Sequence, residues 1–273
     1  MAELETNTHS MIVAGAGGTA AGETLIGTIT LPAGGPWLVH DVFAQVVAAT
    51  ATAAESVGGN IRIEVASGDL SPNPAPSRFP VRSSNAALGA TIDRGVCPLS
   101  LFPVAYEAAG KAVINLYGVN SNAQTAAPQW IIGMMFGKTR PETMPLNFVD
   151  VVRGSVIAAA ATALGTITLA EKATKIVGVC GIIAQHGVVV AGEELLGFFS
   201  LASDDIKIPP MQLPFNSAYG AGLGALIDGN SEPPIHFIDV DIPIVGGARI
   251  NATVDLNTAV TNVTTCEVFI AYI

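Results

Sequence analysis

The sequence predicts an all-β protein built as a tandem duplication of one antiparallel β-sandwich. The peptide Gly-Thr-Ile-Thr-Leu at residues 27–31 returns at residues 165–169, 138 positions later. Residues 88–93 return at 223–228, 135 positions later, with one substitution. A solenoid needs roughly three or more stacked units to close a core, so two copies indicate two similar globular units.

Weaker matches between these blocks keep nearly the same spacing. Residues 67–70 match residues 203–206, a proline-rich stretch follows each, and Phe79 matches Phe215. Further on, residues 110–113 are placed opposite residues 247–250, which pairs Gly110 with Gly247, and Asn120 is placed opposite Asn257. The duplication is therefore expected to run through most of the chain.

The chain length and a charged, proline-rich segment divide the chain into two units. A chain of 273 residues corresponds to two domains of about 100 to 200 residues each. Residues 138–145 concentrate charge and proline in a chain that is only 12% charged, which is typical of a linker. We predict an N-terminal arm at 1–9, a first sandwich at 10–138, a linker at 139–147 and a second sandwich at 148–273.

The strands are predicted from short runs rich in Val, Ile, Thr and aromatic residues, bounded by Gly, Pro and Asn. In the first unit these runs are residues 25–31, 38–47, 61–66, 113–119 and 130–136, and each has a counterpart in the second unit. About seven or eight strands per unit is the number found in a β-sandwich or jelly roll. The proline-rich residues 71–80 and 208–214 are predicted to connect sheets, because proline cannot occupy a central strand.

The composition is unusually apolar for a protein surface. Hydrophobic residues make up 50% of the chain and mean hydropathy is +0.51, whereas charged residues fall well below the roughly 25% of a typical soluble domain. Residues 154–170 and 176–192 approach the length of a membrane span, but Gly, Thr, Gln or His interrupt them and their texture favours strands. Burial between subunits explains the composition better, because obligate interfaces are as apolar as a domain core.

Charge and cysteine content exclude several functions. The net charge is −10 and Lys and Arg total 12 without a basic cluster, so direct binding to nucleic acid is not expected. Cys97, Cys180 and Cys266 lack CxxC spacing and are interpreted as small buried hydrophobic residues. The N-terminal residues 1–5 are acidic, unlike a signal peptide, so synthesis in the cytoplasm without a leader is expected.

Glycine-rich segments suggest a nucleotide cofactor, but their context argues against it. Residues 12–20 resemble a dinucleotide-binding turn, yet the chain continues through Gly22 and Gly27 into a predicted strand rather than a helix. Residues 220–224 are not followed by the Lys-Ser/Thr pair of a phosphate-binding loop. We expect no cofactor, and we expect an N-terminal strand or arm at residues 12–20.

No candidate catalytic or metal site emerges. Asp239 and Asp241 share one face of a predicted strand near His236, but calcium needs six or more oxygens, so a solvated face is favoured. The remaining histidines, His9, His40 and His186, are scattered, and no GxSxG motif occurs. The duplicated Asp93 and Asp228 could mark a repeated ligand site, although a carboxylate that caps a turn is favoured. We therefore predict no catalytic, cofactor-binding or metal-binding residues, and no enzyme.

With two sandwich-like units, one linker, few charges and no catalytic motif, the chain resembles the double jelly-roll major capsid proteins of icosahedral viruses. The resemblance covers the whole chain and transfers no individual residue. It implies a structural subunit of a virion that forms a homotrimer, whose six jelly rolls approximate a hexagon and tile a shell, with minor structural proteins as possible partners. The alternatives are a non-viral tube or surface-layer subunit, and a tandem carbohydrate-binding or attachment module, which would need exposed aromatic residues.

Overall fold

The computed structural model describes residues 8–47, 55–66, 68–74, 77–85, 99–138, 145–156, 158–185, 197–208, 212–218, 235–256, 259 and 264–273. All regular secondary structure in these ranges is β-strand. The first half contains β1 (His9–Ala16), β2 (Gly22–Thr30), β3 (Trp37–Val47), β4 (Glu55–Val65), β5 (Leu70–Ser71), β6 (Arg78–Asn85), β7 (Ser100–Ala108), β8 (Val113–Asn120) and β9 (Gln129–Gly137). The second half contains β10 (Phe148–Val156), β11 (Thr162–Thr168), β12 (Lys175–Gln185), β13 (Gly197–Ala202), β14 (Gln212–Pro214), β15 (Asn216–Ala218), β16 (Ile238–Pro243), β17 (Arg249–Leu256) and β18 (Thr264–Tyr272).

The strands form four sheets, two in each half of the chain. Sheet I has the order β1-β9-β3-β7-β5 and sheet II the order β2-β8-β4-β6. In the second half, sheet III has the order β10-β18-β12 with β15 and β16 both on β12, and sheet IV the order β11-β17-β13-β14. Successive strands of the first half alternate between sheets I and II, which is the winding of a jelly roll. The predicted fold class, a tandem antiparallel jelly roll, is confirmed; among the described strands one pair is parallel, β12 with β15 over three residues.

The same irregularities recur in both jelly rolls. The register of β2 slips past Ile26 and that of β11 slips past Leu164, in each case just before the repeated Gly-Thr-Ile-Thr peptide. The register of β3 slips past His40 and that of β12 past Val177. Bulges are specific local features, so their shared positions confirm that both units follow one plan.

Equivalent hydrogen bonds give the residue correspondence in the next strand pair. The Thr28 hydroxyl donates to Asn115 Oδ1 at 2.8 Å, and the Thr166 hydroxyl donates to Asn251 Oδ1 at 2.6 Å. Asn115 therefore corresponds to Asn251, 136 residues later.

This correspondence corrects the predicted match of Gly110 with Gly247, which is wrong by one residue. Lys111 is the true counterpart of Gly247, and both occupy the left-handed region, with φ of 66° and 78°. The turn requires a positive φ, which glycine adopts readily and lysine adopts at a cost. An alignment of Gly110 with Gly247 therefore places the turn one residue away from its position in the structure. The predicted counterpart of Asn120, Asn257, lies outside the described residues.

The match of Phe79 with Phe215 also needs correction, by two residues. Phe79 pairs across the sheet with Ile61, whereas Leu213 takes the corresponding place opposite Phe199. Phe215 still reaches the same core region, because its ring packs 5.2 Å from that of Phe199. An aromatic side chain is thus retained in the core from a different backbone position.

The proline-rich stretches behave differently in the two halves. In the first half the chain passes from β5 in sheet I to β6 at the edge of sheet II, as predicted for a connection between sheets, but residues 78–80 of the predicted connection already belong to β6. The prediction for residues 208–214 is wrong, because residues 212–214 form β14 and pair with β13 in the same sheet. β14 lies at the end of the described strand order, where a proline such as Pro214 is tolerated.

The chain between the two jelly rolls docks on the first one at residues 145–147. The backbone N–H of Leu146 donates to the Pro103 carbonyl at 2.8 Å, and the Tyr106 hydroxyl donates to the Asn147 carbonyl at 2.8 Å. The predicted division at 139–147 stays a prediction, since residues 139–144 lie outside the described ranges. No described helix is long and apolar enough to cross a bilayer.

Candidate functional site

Two rows of the outward surface of sheet I are apolar and open to solvent, whereas the next row contains Asp41. Ile12, Gly133, Phe43 and Leu101 lie side by side across four strands, and Ala14, Ile131 and Gln45 form the neighbouring row. Four of the large side chains keep substantial exposure: Ile12 58%, Leu101 49%, Leu99 46% and Ile131 40%. None of these eight residues is charged. We call this surface the sheet I face, defined by Ile12, Ala14, Phe43, Gln45, Leu99, Leu101, Ile131 and Gly133.

The outward surface of sheet II is charged instead. The Arg62 guanidinium donates to both carboxylate oxygens of Glu23, pairs with Glu64 and lies 4.0 Å from the centre of the Tyr117 ring. Arg78 also donates to Glu23 at 3.1 Å. These hydrogen bonds, led by Arg62, lower the pKa of Glu23 despite partial burial. Such a surface is suited to water, in contrast to the sheet I face.

The outward surface of sheet IV is polar as well. It carries the Thr166–Asn251 hydrogen bond and Arg249, whose guanidinium Nε donates to Asp205 at 3.0 Å. The side-chain and backbone N–H groups of Arg249 lower the pKa of Asp205 to about 2. Of the outward surfaces of sheets I, II and IV, the apolar one is therefore that of sheet I.

Sheet III is the counterpart of sheet I, and its outward face is buried. Glu267 stands between Arg153 and Ile182 in sheet III, as Ile131 stands between Ala14 and Gln45 in sheet I. On this face Cys180, Ile182 and Phe269 are almost inaccessible and join the core of the first jelly roll, Val151 packs half-buried against that core, and Arg153 at the edge of the face is exposed. Strands β4 and β6 of the first jelly roll lie against this face. The chain therefore covers one copy of the face and leaves the other uncovered.

The edge strand that packs on sheet III also has a counterpart in the second jelly roll. In the first jelly roll, β6 is buried along residues 79–83 against sheet III. Its counterpart β14 in the second jelly roll is exposed at Gln212 and Pro214. In the part of the chain that the structure describes, the second jelly roll thus has an exposed counterpart of this edge, and the first jelly roll has an exposed counterpart of the covered face.

A polar cleft lies between the two jelly rolls where they meet. It has a volume of about 420 Å³ and is lined by Gly22, Glu23, Asn60, Arg78, Val119, Asp150, Val151, Arg153 and Glu267. Burial raises the pKa of Asp150, although the Tyr272 hydroxyl donates to that carboxylate at 2.9 Å. Glu267 is only 2% exposed, and burial raises its pKa to about 7 despite the opposing effect of Arg153.

Sequence reasoning missed Glu267 and Arg153. A signal was present, because Glu267 interrupts an apolar strand at the position where the first repeat has Ile131. A carboxylate placed in a buried strand requires partners, and these come from a distant part of the chain.

The structure does not gather the predicted candidate residues into one site. Asp239 and Asp241 are exposed on the same face of β16, and Asp241 forms an ion pair with Lys175 at 2.8 Å. His236 precedes that strand and is exposed. Within the described ranges, no three His, Cys, Asp or Glu side chains converge as metal ligands. Asp93 and Asp228 lie outside those ranges, as do Cys97 and His186.

The remaining sequence predictions concern single residues. Residues 9–16 form β1, paired along its length with β9, so this segment is the predicted strand and not a dinucleotide-binding turn. Cys180 and Cys266 are buried and outside any disulfide, as predicted, and burial raises the pKa of Cys266 to about 12. Trp130 is buried in the core, while the Trp37 ring contacts His9, Phe136 and the ammonium of Lys138.

Comparison with known proteins yields structural matches only. No protein-family model and no curated protein matches the sequence. Among solved structures, the N-glycanase PNGase F is 12% identical, with 97% of this chain and 96% of that chain covered and a TM-score of 0.44. The STIV MCP is 10% identical over 96% and 97% of the two chains, with a TM-score of 0.34. The major capsid protein P2 of bacteriophage PM2 is 9% identical over 97% and 98%, with a TM-score of 0.34.

At these identities and TM-scores the matches themselves carry no argument about activity. The strand order of both halves is that of two tandem jelly rolls, which is the fold that the predicted resemblance to double jelly-roll viral major capsid proteins implies.

Proposed function

We propose that this protein is a self-assembling structural subunit of a closed shell, most simply a viral capsid, and that it performs no chemistry of its own. The observation that carries the proposal is the uncovered sheet I face. Its buried counterpart in sheet III is held against another jelly roll. A contiguous apolar surface of this kind marks an interaction site.

The contact inside the chain supplies a template for the contact between chains. In one chain, the β6 edge of the first jelly roll packs on sheet III of the second. Repeating that arrangement between molecules places the exposed β14 edge of one copy on the sheet I face of the next. Such a head-to-tail contact closes into a ring if its rotation allows. A ring of three chains would then contain six jelly rolls, joined alternately by the chain itself and by the contact between molecules. This ring is the homotrimer that the resemblance implies.

Charge and aromatic residues support assembly over the competing functions. The chain has a net charge of −10, so nucleic acid is not the proposed partner. A carbohydrate-binding module needs open aromatic platforms, but Trp130 is buried and Trp37 is in contact with other side chains. We propose the virion as the location, with the chain as its own principal partner.

The test is to determine the mass and shape of the purified chain across concentration. Sedimentation velocity should give a trimer that does not dissociate at micromolar protein, and electron microscopy should give regular particles. Tubes or flat sheets would favour the non-viral lattice subunit. A monodisperse monomer at micromolar concentration, or turnover of a substrate by that monomer, would refute the proposal.

A further inference from the structure

A buried polar pair joins the two jelly rolls inside the chain. The Asn60 amide on β4 donates a hydrogen bond to the Glu267 carboxylate on β18, and both side chains line the polar cleft. Both residues are buried. Asn60 belongs to the first jelly roll and Glu267 to the second, so each has a counterpart in the other unit that can be located from the strand pairing.

The counterpart of Asn60 in the second jelly roll is Phe198. Asn60 pairs across sheet II with Pro80, and Phe198 pairs across sheet IV with Pro214. A glycine precedes each of them, and a Cβ on either glycine would clash with a carbonyl oxygen of the neighbouring strand. The next residue, Phe199, is buried in the core, so the Phe198 ring lies on the outward surface, where it is half-buried. We call β13 and β14 the sheet IV edge.

The counterparts of Glu267 and its strand neighbour Arg153 are Ile131 and Ala14 on the sheet I face. Ile131 keeps 40% of its surface exposed. A carboxylate and a guanidinium of the covered face are thus replaced by two apolar side chains on the uncovered face.

The other side of the cleft changes in the same direction at two positions and in the opposite direction at one. Phe198 replaces the amide of Asn60, and Gln212 takes the place of the cationic Arg78. Asp255 takes the place of Val119 and is half exposed. Of the lining residues that meet at the centre of the contact, the polar pair is therefore replaced by an apolar pair.

Matched replacement on two separate surfaces indicates that these surfaces meet. A carboxylate buried against an aromatic ring would lose its hydrogen-bond partner, and an amide buried against an isoleucine would be left unpaired. Each face therefore accepts one edge and rejects the other, which is how a contact discriminates between similar partners. Within one chain the polar edge is already on the polar face, so the apolar edge fits the apolar face of another copy.

We propose that Phe198 on the sheet IV edge of one copy packs on Ile131 in the sheet I face of the next. This contact takes the place that the hydrogen bond from Asn60 to Glu267 has within one chain. The proposal rests on the self-assembly proposed above and adds the residues that select the partner surface. Phe198 is the aromatic anchor of the contact. Glu267 and Arg153 prevent the same edge from docking on sheet III, because the ring would leave their charges unpaired.

Substitution at both positions tests the pairing through the dissociation constant of each contact, measured by sedimentation equilibrium on the full chain. Ile131→Glu and Phe198→Asn should each raise that constant by about tenfold or more, because each sets a polar group against an apolar partner. The double variant recreates the pair found inside the chain. Its dissociation constant should be smaller than the product of the two single effects predicts, by about tenfold.

The matched control is Val245→Asn, an apolar-to-amide change at a side chain that is 69% exposed. Val245 precedes β17, whereas Phe198 pairs with Asp255 near the other end of that strand. Val245→Asn should leave the dissociation constant unchanged and should not rescue Ile131→Glu.

Cross-linking tests the contact without relying on a change in affinity. A chain carrying Ile131→Cys and Phe198→Cys should form covalent dimers and trimers with a short bismaleimide, above the background from the three native cysteines. Chains with either substitution alone should stay at that background. The pair Ile131→Cys with Val245→Cys is the control and should also stay there.

The outcomes separate this contact from the proposed function. If the wild-type chain assembles but positions 131 and 198 neither couple nor cross-link, the Phe198 contact is overturned and the shell subunit stands. A wild-type chain that remains monomeric overturns both. Equal cross-linking of the control pair would also refute the contact, because it would reflect random collision and not docking.

Discussion

Leu101→Asp on the sheet I face should abolish assembly while leaving the subunit folded. Burying a Leu or Ile side chain fully is worth about 1.5 to 3 kcal/mol. Ile12, Leu99, Leu101 and Ile131 are exposed by 40 to 58%, so covering them contributes about 1 kcal/mol each and about 4 kcal/mol per contact. A buried, unpaired carboxylate costs several kcal/mol, which cancels that gain.

The matched control is Thr168→Asp, which places the same charge on the polar outward surface of sheet IV. Both positions are exposed in the single chain, so thermal unfolding of each variant should resemble that of the wild type. Sedimentation velocity and electron microscopy should show monomers for Leu101→Asp and normal assembly for Thr168→Asp. If Leu101→Asp assembles like the wild type, or if both variants fail equally, the assignment of the sheet I face is wrong.

Three further predictions concern stability. Gly59→Ala should destabilise the first jelly roll by about 1 to 3 kcal/mol in chemical denaturation, because the new Cβ would overlap the Val119 carbonyl oxygen. An unchanged midpoint would contradict this contact. Asn147→Ala should cost about 1 to 3 kcal/mol, because its side chain accepts from the Ala105 N–H at 2.7 Å; a neutral result would show that water replaces it. The Asp205 carboxyl, whose pKa is lowered by Arg249, should titrate near pH 2 by NMR. The stabilisation from this ion pair is therefore present above about pH 3.8 and is lost as the pH falls through about 2. Arg249→Gln should return the midpoint of the Asp205 titration toward 3.8.

The duplication and the strand class could be predicted because both are local properties of the chain. The Gly-Thr-Ile-Thr peptides lie in β2 and β11 at equivalent places, and the apolar runs at 38–47 and 130–136 lie in β3 and β9. Alternation of side chains within one strand is visible without knowing its neighbours. The alignment failed where a turn needs a positive φ, because Lys111 and Gly247 satisfy the same backbone requirement with unlike residues.

The sequence by itself determined that this is a duplicated, apolar all-β chain with more hydrophobic surface than one folded unit should leave in water. Only the tertiary structure decided which surface stays uncovered. Ile131 and Glu267 occupy equivalent positions, yet one is exposed and the other is enclosed by residues some 150 to 200 positions earlier in the chain. The physical reason is that burial and proton affinity depend on which distant strands pack against a face, and neither the period of a strand nor the hydropathy of its residues encodes that packing partner.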